Sequence, residues 1–117
     1  MIGANLDPSH LFWMGADPLM AADALAGAVH HVHAKDTLLN TPVQATTGLL
    51  ENGGLTDIPA RAWSYITLGI GHDETWWRQF CYRLKMGGYD GWLTADAKMA
   101  VHQTFNRVAC GVLLLWG

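Results

Sequence analysis

Apolar residues come along this chain in short blocks separated by turn-forming residues, and each block predicts one element. Residues 2–6 form a short apolar run stopped by Asp7-Pro8-Ser9, which reads as a strand. Asp17-Pro18 then opens a stretch rich in Ala, Leu and Met as far as residue 28, and good helix formers behind a proline predict a helix. Residues 29–34 are β-branched and histidine-rich, with Gly27 before them and Lys35-Asp36-Thr37 after, and predict a second strand. A third is expected over residues 63–68, stopping at Gly69-Ile70-Gly71, followed by a helix from Glu74 to about Met86 that Asp73 or His72 caps. Gly87-Gly88 closes that helix, Tyr89-Asp90-Gly91 leads into a fourth strand over residues 92–95, and residues 99–115 read as a last helix.

Strand and helix thus alternate about four times, which predicts parallel βαβ units with right-handed crossovers, in a doubly wound sheet or a piece of a barrel. Between the second and third strands lies a long connection, residues 39–62, holding Asn40, Pro42, Gly48, Asn52-Gly53-Gly54 and Pro59. These are too many breakers for one regular element, and so long a loop is expected to border a site or cover it. The pair Trp76-Trp77 with Phe80 falls at helical spacing and is expected in the core.

Composition narrows the function classes. With 117 residues, half of them hydrophobic, the chain is long enough for one domain with a core. A net charge of -3 provides no basic stripe, which argues against nucleic acid. Cys81 and Cys110 are far apart and outside any CxxC spacing, as expected of reduced, buried thiols. Residues 1–7 lack a basic segment followed by a long apolar run, and the most apolar stretch, residues 108–116, is well short of the roughly 20 residues that span a bilayer. The expectation is a cytoplasmic protein that does not enter a membrane.

Chemistry in an α/β barrel gathers at the carboxyl ends of the strands, so the polar residue closing each expected strand is a candidate. Asp7 closes the first, with His10 three residues further on, though an Asp-Pro-Ser turn explains Asp7 equally well. His31 and His33 share one face of the second strand while His30 points the other way, and two imidazoles on one face can reach one cation or simply sit in a core. Lys35 and Asp36 follow directly. On the fourth strand Asp96 shares a face with Thr94 and Trp92, where a carboxylate suits a hard or borderline cation. Gly69-Ile70-Gly71-His72 ahead of a helix offers backbone N–H groups to an anion, as many plain turns also do.

Four segments taken together, Gly3-Ala4-Asn5-Leu6-Asp7-Pro8-Ser9-His10-Leu11, His31-Val32-His33-Ala34-Lys35-Asp36-Thr37, Gly69-Ile70-Gly71-His72-Asp73 with Trp77, and Gly88-Tyr89-Asp90-Gly91, resemble the sugar phosphate isomerase/epimerase family. Its members have a xylose-isomerase-like TIM barrel. The resemblance covers roughly residues 3–96 and implies the C-terminal half of a (β/α)8 barrel, about four parallel βα units in a single partial domain. It implies a divalent cation (manganese, magnesium, cobalt or zinc) with Asp7, His33 and Asp96 as ligands, and His10, Lys35, Asp36 and His72 around a sugar or sugar phosphate. The implied reaction is metal-assisted proton transfer next to a sugar carbonyl. Where the family's last strand carries a motif like Ile-Glu-His-Glu-Asp, this chain has Ala95-Asp96-Ala97-Lys98-Met99, which shortens the ligand by one methylene.

A complete barrel takes about 250 residues, so half of one exposes strand edges and an apolar interior face. A homodimer or a partner chain completing the barrel is the resulting expectation. A non-catalytic half-barrel with a residual metal site is the main competing reading. A multi-zinc DNA-repair endonuclease of the same superfamily would need more ligands and a basic groove.

Overall fold

The computed structural model describes residues 2–95 together with Val108 and Ala109. Strand β1, Ala4–Leu6, leads into helix α1, Pro8–Met14, whose N-cap is Asp7 with its side chain accepting the Ser9 N–H. Gly15 ends α1 in the left-handed region at φ 80°, a conformation that favours glycine. The same device starts α2, Pro18–Ala24, where the Asp17 side chain accepts the Leu19 N–H and Pro18 fills the first turn. Then come β2, Val29–Ala34, β3, Asp36–Leu39, α3, Thr41–Thr47, a short 3-10 turn at Ile58–Ala60, and β4, Trp63–Ile66. Helix α4, Glu74–Met86, is capped by Asp73, and strands β5, Trp92–Ala95, and β6, Val108–Ala109, follow.

Strands β1, β2 and β5 form a parallel sheet in that order, with β6 added antiparallel to β5. Alternation along the strands separates two faces. Leu6, Val32, Ala34 and Leu93 are buried, joined by Ala22 of α2 and by Trp77, Phe80, Cys81 and Leu84 of α4. Burying side chains such as Phe80 and Leu84 stabilises the fold by roughly 1.5–3 kcal/mol each. The opposite face carries Asn5, His31, His33 and Thr94, none of them buried. Trp77, Phe80 and Cys81 lie in the core as their spacing and chemistry predict, and Trp76 packs at its edge. No helix among the described residues is long and apolar enough to cross a membrane.

The expected half of a TIM barrel, four successive parallel βα units, is not formed. The segment read as the third parallel strand is β4, and it pairs antiparallel with β3 in a separate two-stranded sheet. Its register sets Asp36 against Ile66, Thr37 against Tyr65, Leu38 against Ser64 and Leu39 against Trp63. An antiparallel pair needs no crossover helix, so residues 40–62 form a returning arm. The arm is closed at its base where the Asn40 N–H donates to the Ala62 carbonyl at 2.9 Å and the Gln44 amide donates to the same carbonyl at 3.1 Å. The helix expected over residues 99–115 falls mostly outside the described residues, and its two described positions, Val108 and Ala109, form a strand.

The arm buries little. Neither α3 nor the 3-10 turn has a buried residue, and Leu50 and Leu55 are exposed. Its shape comes from polar contacts: Glu51 Oε2 accepts the Ala62 N–H at 2.6 Å and Oε1 the Gly53 N–H at 2.8 Å, while Arg61 Nη1 donates to the Gly53 carbonyl at 2.7 Å. Trp63 Nε1 donates to the Leu49 carbonyl at 2.8 Å.

Candidate functional site

Parallel strands of an α/β sheet bring ligands to their carboxyl ends. At that end β1 runs into Asp7. One oxygen of Asp7 is committed to the α1 cap, with Oδ1 accepting the Ser9 N–H at 2.9 Å and the Ser9 hydroxyl at 2.6 Å. The other faces His10, whose Nε2 lies 3.5 Å from Oδ2. Both side chains are open to a ligand, at 16% exposure for Asp7 and 51% for His10. On its far side the His10 ring meets β4, where the Tyr65 hydroxyl is 2.9 Å from Nδ1.

Tyr65 itself is held from several directions. The Lys35 ammonium stands 3.7 Å from its ring centroid, close enough for a cation–π contact. Trp63 packs edge-on against it, and Trp13 of α1 stacks on Trp63 with centroids 4.7 Å apart. Burial pushes the Tyr65 phenol above its ordinary range, the Trp13 indole N–H partly offsets this, and the Asp7 carboxylate adds to the rise. That indole N–H is buried and points to no acceptor at full hydrogen-bond geometry.

A second histidine–carboxylate pair lies behind α1. Asp36 is fully buried, and its Oδ2 accepts the backbone N–H groups of Gly69 at 3.0 Å, Gly71 at 3.1 Å and His72 at 3.0 Å. Oδ1 takes the Thr37 N–H at 2.9 Å and faces His72 Nδ1 at 2.8 Å. The Gly69-Ile70-Gly71-His72 turn does present its N–H groups to an anion, and that anion is the chain's own Asp36. The His72 ring stacks on Phe12 with centroids 3.6 Å apart, on a different side of α1 from His10.

His31 and His33 pair edge to face at 5.0 Å on the open side of the sheet, and His31 Nε2 is 3.1 Å from the Thr94 hydroxyl. Asp7 follows the Leu6–Val32 pairing directly and His33 follows Val32, so their backbones end up side by side. Asp96, the third expected ligand, lies outside the described residues. Among the described residues no group of three or more His, Cys, Asp or Glu side chains is arranged to hold a metal ion. The described donors therefore do not make up a metal site by themselves.

The candidates thus divide into Asp7 with His10, Asp36 with His72, and His33 with His31, while Lys35 rests on Tyr65. Sequence reasoning missed Tyr65, which lies within the segment expected as the third strand. Only the unpredicted β3 could have drawn attention to it. A small hollow lined by Ala22, Val29, Leu84, Gly87 and Tyr89 sits at the opposite, amino-terminal end of β2 and offers no charged group for chemistry.

No family model matches the chain. Over 91 residues it is 52% identical to the uncharacterized protein YfiH of Bacillus subtilis (strain 168), a stretch that takes in 78% of this chain and 29% of that protein. The chain thus spans less than a third of the length of the curated relative it matches.

Proposed function

We propose that this chain carries part of the site of a sugar or sugar-phosphate isomerase or epimerase, in which Asp7 and His10 act on a proton next to a sugar carbonyl. The observation that carries this reading is the solvent-open pair at the end of β1, with His10 Nε2 3.5 Å from Asp7 Oδ2. A carboxylate with one free oxygen accepts a proton, and an imidazole beside it steadies charge on the neighbouring oxygen as the carbon–hydrogen bond breaks. Lys35, following β2 at the same end, adds positive charge. The resemblance of the Asp7 to His10 and His31 to Asp36 segments to the sugar phosphate isomerase/epimerase family supports the same reaction class. The resemblance implies a divalent cation as well, with Asp7, His33 and Asp96 as its ligands, of which Asp96 lies outside the described residues.

The test is hydrogen exchange. The full chain is incubated in D2O with D-fructose, D-glucose and their 6-phosphates, with and without manganese, and proton NMR follows the signal on the carbon beside the carbonyl. Exchange above the buffer rate that falls about 10²-fold or more in Asp7→Asn agrees with the proposal. No exchange with any of the four sugars, or exchange that Asp7→Asn leaves intact, sinks it.

A further inference from the structure

We propose that Tyr65 is a positioning residue for His10, holding the imidazole in the tautomer that carries its proton on Nε2. The inference rests on the reading of Asp7 and His10 given above and specifies His10 as the hydrogen-bond donor of the pair.

The tertiary structure fixes the distance between these residues. Tyr65 pairs with Thr37 across the β3–β4 ladder, and the buried Thr37 hydroxyl donates to the Ser9 carbonyl in the first turn of α1 at 2.7 Å. His10 is the next residue. One rung of the hairpin is thus tied to the helix turn that carries the imidazole, and the phenol meets Nδ1 at 2.9 Å. A neutral phenol can donate to the nitrogen facing it or accept from it; with the Asp7 carboxylate facing Nε2, donation to Nδ1 is favoured, and a neutral imidazole accepting at Nδ1 bears its hydrogen on Nε2. Burial and the Asp7 carboxylate both favour the neutral phenol. The Lys35 ammonium over the ring withdraws electron density and makes the O–H a stronger donor.

The other nitrogen then has a defined role. At 3.5 Å from Asp7 Oδ2, the Nε2–H is attracted to the carboxylate yet beyond a well-formed hydrogen bond, so it can turn to a ligand oxygen. The opposite tautomer would present a lone pair to the Asp7 carboxylate, an arrangement that repels.

Long-range 1H–15N correlation spectra of the uniformly labelled full chain at neutral pH test this without any sugar, and a His10→Gln variant assigns the ring. The expected result is a protonated Nε2 and an unprotonated Nδ1 in the wild type, giving way to a tautomer mixture in Tyr65→Phe. A wild-type His10 protonated on Nδ1 or on both nitrogens overturns the proposal, as does a Tyr65→Phe spectrum identical to wild type. Should Tyr65→Phe not fold, incorporation of 3-fluorotyrosine strengthens the donor instead. The Nδ1 resonance must then move, and a stationary resonance counts against the idea. In the exchange assay Tyr65→Phe is expected to lower the rate at saturating sugar roughly tenfold while leaving half-saturation nearly unchanged. Absence of exchange in the wild type bears on the proposed reaction, whereas the tautomer bears on Tyr65 alone.

Discussion

His72 grips both oxygens of Asp36: its backbone N–H donates to Oδ2 at 3.0 Å, and its ring Nδ1 lies 2.8 Å from Oδ1. A buried carboxylate in this position organises the turn between β4 and α4, because three of that loop's N–H groups, those of Gly69, Gly71 and His72, have it as their acceptor. This is also why the turn is closed to phosphate, since an incoming anion would have to displace the carboxylate already seated there.

Replacing Asp36 by Ala should therefore be among the costliest changes in the chain. It leaves the Gly69, Gly71 and His72 N–H groups without their acceptor, at about 1–3 kcal/mol for each buried donor left unsatisfied. A loss of at least about 3 kcal/mol in urea unfolding is expected. A loss below about 1 kcal/mol would mean that water replaces the carboxylate readily.

Gly71 should tolerate no side chain. A Cβ there would collide with the Thr37 carbonyl oxygen and crowd Asp36 Oδ1, both held by the fold. Gly71→Ala is expected to destabilise by about 1–3 kcal/mol and to perturb the His72 ring signals in NMR, by the overpacking argument. Gly69 sits in the left-handed region with open space around it, so Gly69→Ala should show backbone strain without that collision.

The core should respond to Phe80→Ala with a loss of about 3–5 kcal/mol in chemical denaturation, since the ring is fully buried between Trp76 and Trp77. The exposed Leu50→Ala, on the arm, should change stability by less than about 0.5 kcal/mol.

The arm should open in acid before the core does. The Ala62 and Gly53 N–H groups, with the Arg61 guanidinium, hold the Glu51 carboxyl below the usual carboxylate range. A lowered folded value means that Glu51 contributes its stability above the unfolded value of about 4.3, and that the contribution fades as pH falls through the folded value. Hydrogen exchange at Gly53 and Ala62 should quicken over that window in the wild type and be fast at every pH in Glu51→Gln. Protection that persists in the variant would show that the arm is held otherwise.

At the alkaline end the sign reverses. Because burial raises the Tyr65 phenol, its contribution is fully present below the unfolded value of about 10 and is lost as pH rises through the folded one. Tyr65→Phe should flatten that part of the alkaline unfolding profile. An unchanged profile would assign the alkaline loss to other groups.

Much of this protein was fixed by local sequence. Asp17-Pro18 and Asp73 start the helices expected of them because a short carboxylate can accept the first free N–H groups of a helix wherever it stands, and Asp7-Pro8, read from the sequence only as a turn that stops a strand, starts α1 in the same way. Residues 29–34 and 92–95 form strands where β-branched and aromatic residues lie between turn formers, and α4 buries the apolar face that its spacing presents. Asp7 and His10 stood three residues apart in the sequence as candidates for one cavity, but the helix turn that brings them together came only with α1. Tertiary structure alone decided that β4 runs antiparallel to β3 instead of joining the parallel sheet, that Asp36 fills the Gly69 to His72 turn, and that Tyr65 reaches His10 across 55 positions of chain. The reason is physical: caps and periodicity report interactions within a few residues, whereas strand partnership and the seating of a buried carboxylate depend on which distant groups remain unsatisfied once the chain has closed on itself.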